Sequence, residues 1–171
     1  MGDSMSKQVV RLPFPGKVVR GPGALAALGA ICRSQGKKVY VLGGKTALAK
    51  TKAGIYASLE QAGVEIAAFA WYGGECSQEN IQRLAEDALS CQAEALVAVG
   101  GGKALDTGKA VGEKCNLPVV TVPTIAATCA AMTPLSVVYN NHGEFAGNLF
   151  LANCPAGVVV DTSVILATPV S

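Results

Sequence analysis

One stretch constrains this chain more than any other: residues 97–109, VAVGGGKALDTGK, where an apolar strand breaks into three consecutive glycines and runs straight into a helical pattern. A strand that turns directly into a helix defines a strand–helix unit of a layered fold. Its glycines let a ligand or a neighbouring element approach the backbone with no Cβ in the way. The first-turn N–H groups of the helix have no intrahelical acceptor and point at one spot, and the helix dipole adds about half a positive charge there. Such a place binds phosphate, and Lys103 adds a full charge to Gly100, Gly101 and Gly102. The pattern is neither the Walker loop, since no Ser or Thr follows Gly102-Lys103, nor the G-x-G-x-x-G fingerprint. The alternative is a tight turn in which glycine serves only close helix–strand packing.

The rest of the chain repeats the same alternation. Short apolar runs at 17–20, 38–42, 64–69, 95–99, 118–122, 135–139 and 157–160 read as strands. Helical periodicity falls at 25–36, at 45–62 ended by Gly63, behind an N-cap at Ser77 with Ile81, Leu84, Ala85 and Ala88 on one face, and from the 100–103 loop to about 114. Asn140 to Gly143 mark a turn. The expectation is an α/β fold with a mostly parallel sheet flanked by helices. With 171 residues, 50% hydrophobic and 15% charged, the chain buries roughly 70% of its unfolded surface as one domain, which excludes disorder. A net charge of +2 without a dense basic run argues against nucleic acid. Residues 115–143 carry no charged side chain, yet Pro118, Pro123 and Pro134 break them, so a membrane span is not expected. The polar start lacks a secretory core, and six cysteines without a C-x-x-C pair fit a cytoplasmic protein. The start also matches the loose myristoylation pattern, which six ordinary residues can meet by chance.

Other residues admit two readings each. Asp106 and Lys109, three apart on the helix after the glycine loop, form a surface pair, or Asp106 orders the loop or meets a ribose or a nicotinamide amide. Thr124 and Thr128, in a strand-end loop crowded with hydroxyls, face a ligand or serve turn and cap bonds. Cys129 and the single histidine, His142, could form a dyad but lack a third orienting group. One histidine cannot build a histidine-based catalytic metal site, so no metal ligand is assigned.

Taken in order, YGGECSQENIQRL (72–84), VGGGKALDTGKAV (99–111), PTIAATCAAMTPLSVVY (123–139) and VVVDTSVILATPV (158–170) resemble the glycerol dehydrogenase branch of the metal-dependent, iron-containing alcohol dehydrogenases. The resemblance covers residues 12–170 and implies a Rossmann-like dinucleotide-binding domain of an NAD- or NADP-dependent oxidoreductase acting on a small-molecule substrate. It implies a flexible segment at 1–11, the dinucleotide-binding domain at 12–171, and a helical domain carrying the zinc or iron ligands on sequence past Pro169, so that this chain alone binds without turnover. Homo-oligomerisation is left open. By the same resemblance Gly100, Gly101, Gly102 and Lys103 hold the pyrophosphate, Asp106 lies near the nicotinamide, and Thr124, Ala127, Thr133, Leu135 and Tyr139 line the cofactor cleft. Two departures stand out. Cys129 occupies a substrate-contact position that is Asp in glycerol-using members, and ATCAAMTPLSV is closer to a hydroxycarboxylate or oxoacid sub-branch. Gly44-Lys45 replaces an acidic ribose acceptor, which removes repulsion against a 2′-phosphate and opens NADP beside NAD. A phosphate-eliminating synthase of the dehydroquinate type is disfavoured by GGECS; a stand-alone nucleotide-binding module without catalysis is the reading outside enzymes.

Overall fold

The computed structural model describes residues 13–140 and 142–167. The expectations for residues 1–11, the myristoylation pattern and residues 168–171 fall wholly or mainly outside them.

In chain order the elements are β1 (Val18–Gly21), α1 (Leu28–Arg33), β2 (Lys38–Gly43), α2 (Lys45–Gln61), β3 (Glu65–Trp71), α3 (Gln78–Ser90), β4 (Ala95–Gly100), α4 (Gly102–Cys115), β5 (Val119–Pro123), β6 (Leu135–Tyr139), β7 (Phe145–Phe150), β8 (Gly157–Asp161) and α5 (Thr162–Leu166). Six strands form one parallel sheet in the order β1-β8-β5-β4-β2-β3, and β6 pairs antiparallel with β7 in a separate ribbon. The sheet is buried on both faces, so its central strands are apolar runs rather than alternating ones. On one face Val39, Val41, Val97, Val99 and Val122 pack with Leu28 and Ile31 of α1 and Ile55 and Leu59 of α2. On the other, Tyr40, Leu42, Leu96 and Ala98 pack with Leu84 and Ala88 of α3 and Leu105 and Val111 of α4. A Cβ on Gly108 would stand 2.3 Å from that of Ala98, so glycine is what lets α4 lie this close on β4. Among the described residues no helix is long and apolar enough to cross a membrane.

Two elements differ from expectation. The helix expected at 25–36 is a 3-10 turn over Ala24–Ala27 followed by the short α1. Its start takes its acceptor from the far end of the chain, where the Asp161 carboxylate accepts from Gly23 N at 3.1 Å and Leu25 N at 2.9 Å. Burial pushes the Asp161 carboxyl up, but its backbone donors outweigh this and hold it below its usual range. The second difference is β7, whose sequence FAGNLF lacks strand alternation. It forms because Asn140 Oδ1 accepts from His142 N at 2.9 Å and Glu144 N at 3.0 Å, folding the chain back onto β6.

Candidate functional site

Strand connections leave β2 toward β3 and β4 toward β5, in opposite directions along the sheet. The carboxyl ends of β2 and β4 therefore flank a topological switch point, where open α/β sheets form crevices. A cleft of about 540 Å³ opens there, lined by Gly44, Lys45, Thr46, Ala47 and Lys50 from α2 and its approach, Trp71 and Tyr72 from the end of β3, the run Gly100 to Ala104, Thr124 and Ile125 after β5, and Val164. A hollow of about 570 Å³ lies at the other end of the sheet, against Gly112, Asn116, Pro118 and Ala156. There α4 presents its carbonyl end, so a site for an anion belongs to the first cleft.

Both long helices that begin at the cleft start on glycine and carry no side-chain cap: α2 follows Gly44 and α4 follows Gly101. By contrast α3, which starts elsewhere, is capped by Ser77 Oγ, which accepts from Asn80 N at 3.3 Å. The first turns of two helices thus face one volume with their dipoles converging. Their junctions are held by backbone bonds, Gly44 N to Val99 O at 3.2 Å and Thr124 N to Gly100 O at 3.1 Å. Gly100 sits at φ +145°, and a Cβ there would lie 2.9 Å from Ala104 Cβ, while one on Gly101 would meet Ile125 Cδ1 at 2.8 Å. Glycine thus lets the loop pack closely on Ala104 and Ile125 while the uncapped N–H groups opening α4 face the cleft, an arrangement that can receive an anion such as a diphosphate.

The basic side chains divide by partner. Lys103 Nζ is 2.6 Å from Glu75 Oε2 and 5.4 Å from the centre of the Tyr139 ring. Its hydrogen bond to Glu75 holds its ammonium above the usual lysine range. Lys50 donates to Ala167 O at 2.8 Å. Lys45 lies over the Trp71 indole, 4.3 Å from its centre.

Of the residues singled out from the sequence, Gly44, Lys45, Gly100, Gly101, Gly102, Lys103 and Thr124 meet in the cleft. Tyr139 joins them through Lys103. Asp106 and Lys109 are not the surface pair that their spacing suggests. They are 7% and 2% exposed, with Lys109 Nζ 2.9 Å from Asp106 Oδ1. Asp106 Oδ2 accepts from Val137 N at 3.2 Å, and Lys109 donates to the carbonyls of Thr133 and Leu135. The pair fastens β6 to α4, and Thr133 and Leu135 belong to that fastening. Ala127 and Cys129 are exposed on the loop after β5, outside the cleft lining. Thr128 caps the 3-10 turn there, accepting from Ala130 N at 3.1 Å. His142 sits in the β6–β7 turn. Trp71, Tyr72, Ile125 and Val164 were not singled out from the sequence; the first two follow the end of a parallel strand, the signal that could have found them. Among the described residues no group of three or more His, Cys, Asp or Glu side chains is arranged to hold a metal ion.

The profile of the iron-containing alcohol dehydrogenase family matches residues 15–162. Glycerol dehydrogenase from Escherichia coli O6:H1 is 40% identical over 157 residues, 91% of this chain and 42% of that protein. Hydroxycarboxylate dehydrogenase A from Escherichia coli K12 is 42% identical over 98 residues, 57% of this chain and 27% of that protein. The crystal structure of a probable glycerol dehydrogenase from Sinorhizobium meliloti 1021 superimposes with a TM-score of 0.85 at 31% identity, covering 94% of this chain and 43% of the other. The chain spans about two fifths of the length of the full relatives it matches across most of its own length.

Proposed function

The chain belongs to the iron-containing alcohol dehydrogenase family, and from that premise we propose that it is a dinucleotide-binding domain whose cleft takes a nicotinamide dinucleotide by its pyrophosphate. The single observation that carries this reading is the convergence of two uncapped, glycine-started helices, α2 and α4, on one crevice at the sheet's switch point.

In this reading the N–H groups opening α4 and the loop Gly100 to Gly102 receive the diphosphate, with the α2 terminus adding its dipole from the other wall. Lys103, held by Glu75, contributes charge at the rim. Thr124 and Ile125 form the floor after β5. A bound nicotinamide supplies the hydride acceptor or donor of alcohol oxidation or carbonyl reduction. The described residues do not fit a metal centre. The substrate of the whole enzyme is a small polyol such as glycerol or, following the loop that carries Cys129, a hydroxycarboxylate. Gly44 and Lys45 favour NADP beside NAD, because no carboxylate stands at the end of β2 to repel a 2′-phosphate.

Gly101→Val tests the site. Gly101 has φ −86° and ψ −176°, which valine adopts readily, and the new Cβ meets the far end of Ile125 at 2.8 Å, a side chain that can turn aside; thermal unfolding checks that the variant is folded. Calorimetric titration is expected to show affinity for the dinucleotide lowered at least about ten-fold. A folded variant that binds as the parent does removes the assignment.

A further inference from the structure

Three lysines line the cleft, and the structure gives each a different partner. Lys103 is paired with Glu75, and Lys50 donates to a backbone carbonyl. Among the described residues Lys45 is the one cleft-lining cation whose ammonium rests on no carboxylate or carbonyl; it lies on the Trp71 ring. Trp71 is the only tryptophan of the chain, stands at the carboxyl end of β3 opposite Gly43 of β2, and keeps 46% of its surface exposed in the cleft. Its backbone is tied down and its ring lies along a glycine. Arg83 Nη2 donates to its carbonyl at 3.2 Å, and its ring edge packs over Gly74, where a Cβ would come within 3.4 Å of Trp71 Cζ2.

We propose that Trp71 is a specificity-determining residue: it holds the Lys45 ammonium on the wall of the cleft beside Gly44, where that charge selects a dinucleotide bearing a 2′-phosphate. This deepens the dinucleotide reading and rests on it. A lysine on a flexible stem loses rotamer freedom whenever it meets a phosphate, and an aromatic face beneath the ammonium removes part of that freedom beforehand. The N–H groups directed away from the ring stay available, so the ring contact and a phosphate contact coexist. A comparable pair, Lys52 over Phe69 at 5.0 Å, joins the same two elements one step back along β3 and does not line the cleft. It is an internal control for a contact that only packs α2 on β3.

The experiment measures NAD and NADP affinities by calorimetry for the unchanged chain, Trp71→Leu, Trp71→Phe and Phe69→Leu, each at low and moderate salt. The unchanged chain is expected to prefer NADP, with a preference that shrinks as salt rises. Trp71→Leu is expected to weaken NADP roughly two- to five-fold and leave NAD unchanged, Trp71→Phe to keep most of the preference, and Phe69→Leu to alter neither. Equal weakening of both dinucleotides by Trp71→Leu would mean that the ring stacks on a group they share, and overturns the assignment. So does an unchanged ratio, or the same change from Phe69→Leu. Equal binding of NAD and NADP by the unchanged chain overturns the selection by Lys45 while the dinucleotide reading stands; binding of neither overturns both.

Discussion

Gly44 shows how much one residue decides here. It caps α2 at φ −70° and ψ 145°, and the nearest atoms to a Cβ placed on it are Ala47 Cβ at 3.8 Å and Tyr72 Cε1 at 3.9 Å, so a side chain fits. An aspartate would do two things. Its carboxylate would accept from the open N–H groups of the α2 first turn, a favourable cap worth a few tenths of a kcal/mol over glycine. It would also stand as a ribose acceptor and repel a 2′-phosphate. Gly44→Asp is therefore expected to raise the melting temperature slightly while shifting preference toward NAD by about ten-fold, read by thermal unfolding and by titration with both dinucleotides. A variant of unchanged or greater NADP preference would remove Lys45 and Gly44 from the 2′ position. The place of Gly44 and Lys45 in the cleft wall was legible in the sequence, because residues just after a parallel strand sit at the crevice end of the sheet. Trp71 was not: its role depends on β3 lying beside β2, a pairing of residues that the linear order leaves unspecified.

At the scale of elements, α4 joins the cleft to the ribbon β6–β7. Its first turn lines the cleft, and one turn later Asp106 and Lys109 are buried together against β6, with Ser136 Oγ also donating to Asp106 O at 2.9 Å. A spacing of three suggests a solvated surface pair; what places the pair inside is the hairpin that folds over α4. That hairpin was only half legible, since β6 alternates while β7, with Gly147 at φ +155° and Asn148, does not. Removing one partner of such a pair leaves an uncompensated buried charge, which costs about 3–5 kcal/mol. Lys109→Met is expected to lower the unfolding free energy by about that amount in a denaturant titration. Adding Asp106→Asn to it should cost less than the sum of the two single changes, because they share one interaction. A loss under about 1 kcal/mol for Lys109→Met would show that the ribbon is held by its apolar contacts alone. A second long-range tie starts the 3-10 turn ahead of α1, whose Gly23 and Leu25 N–H groups are met by Asp161 from the other end of the sequence, a cap no local pattern encodes.

Over the whole molecule, the alternation of buried runs and amphipathic helices specified a parallel sheet, and the glycines marked where its strands turn. The order β1-β8-β5-β4-β2-β3 comes from which faces and edges pack best, and it alone brings the Gly44 and Gly100 loops together. The cleft consequently joins two halves of the domain: β2, α2 and β3 on one side, β4, α4 and β5 on the other. A ligand that binds only when both halves are in place stabilises the entire fold by mass action, about 2.7 kcal/mol at a hundred times its dissociation constant. For a domain of this size that corresponds to a rise in melting temperature of roughly 5 to 10 °C. Such a rise is expected with the preferred dinucleotide, followed by scanning calorimetry, and should vanish in Gly101→Val at the same ligand concentration. Calorimetric binding without any thermal shift would mean that the ligand sits on a segment that opens independently of the sheet, and would move the site away from the crevice between β2 and β4.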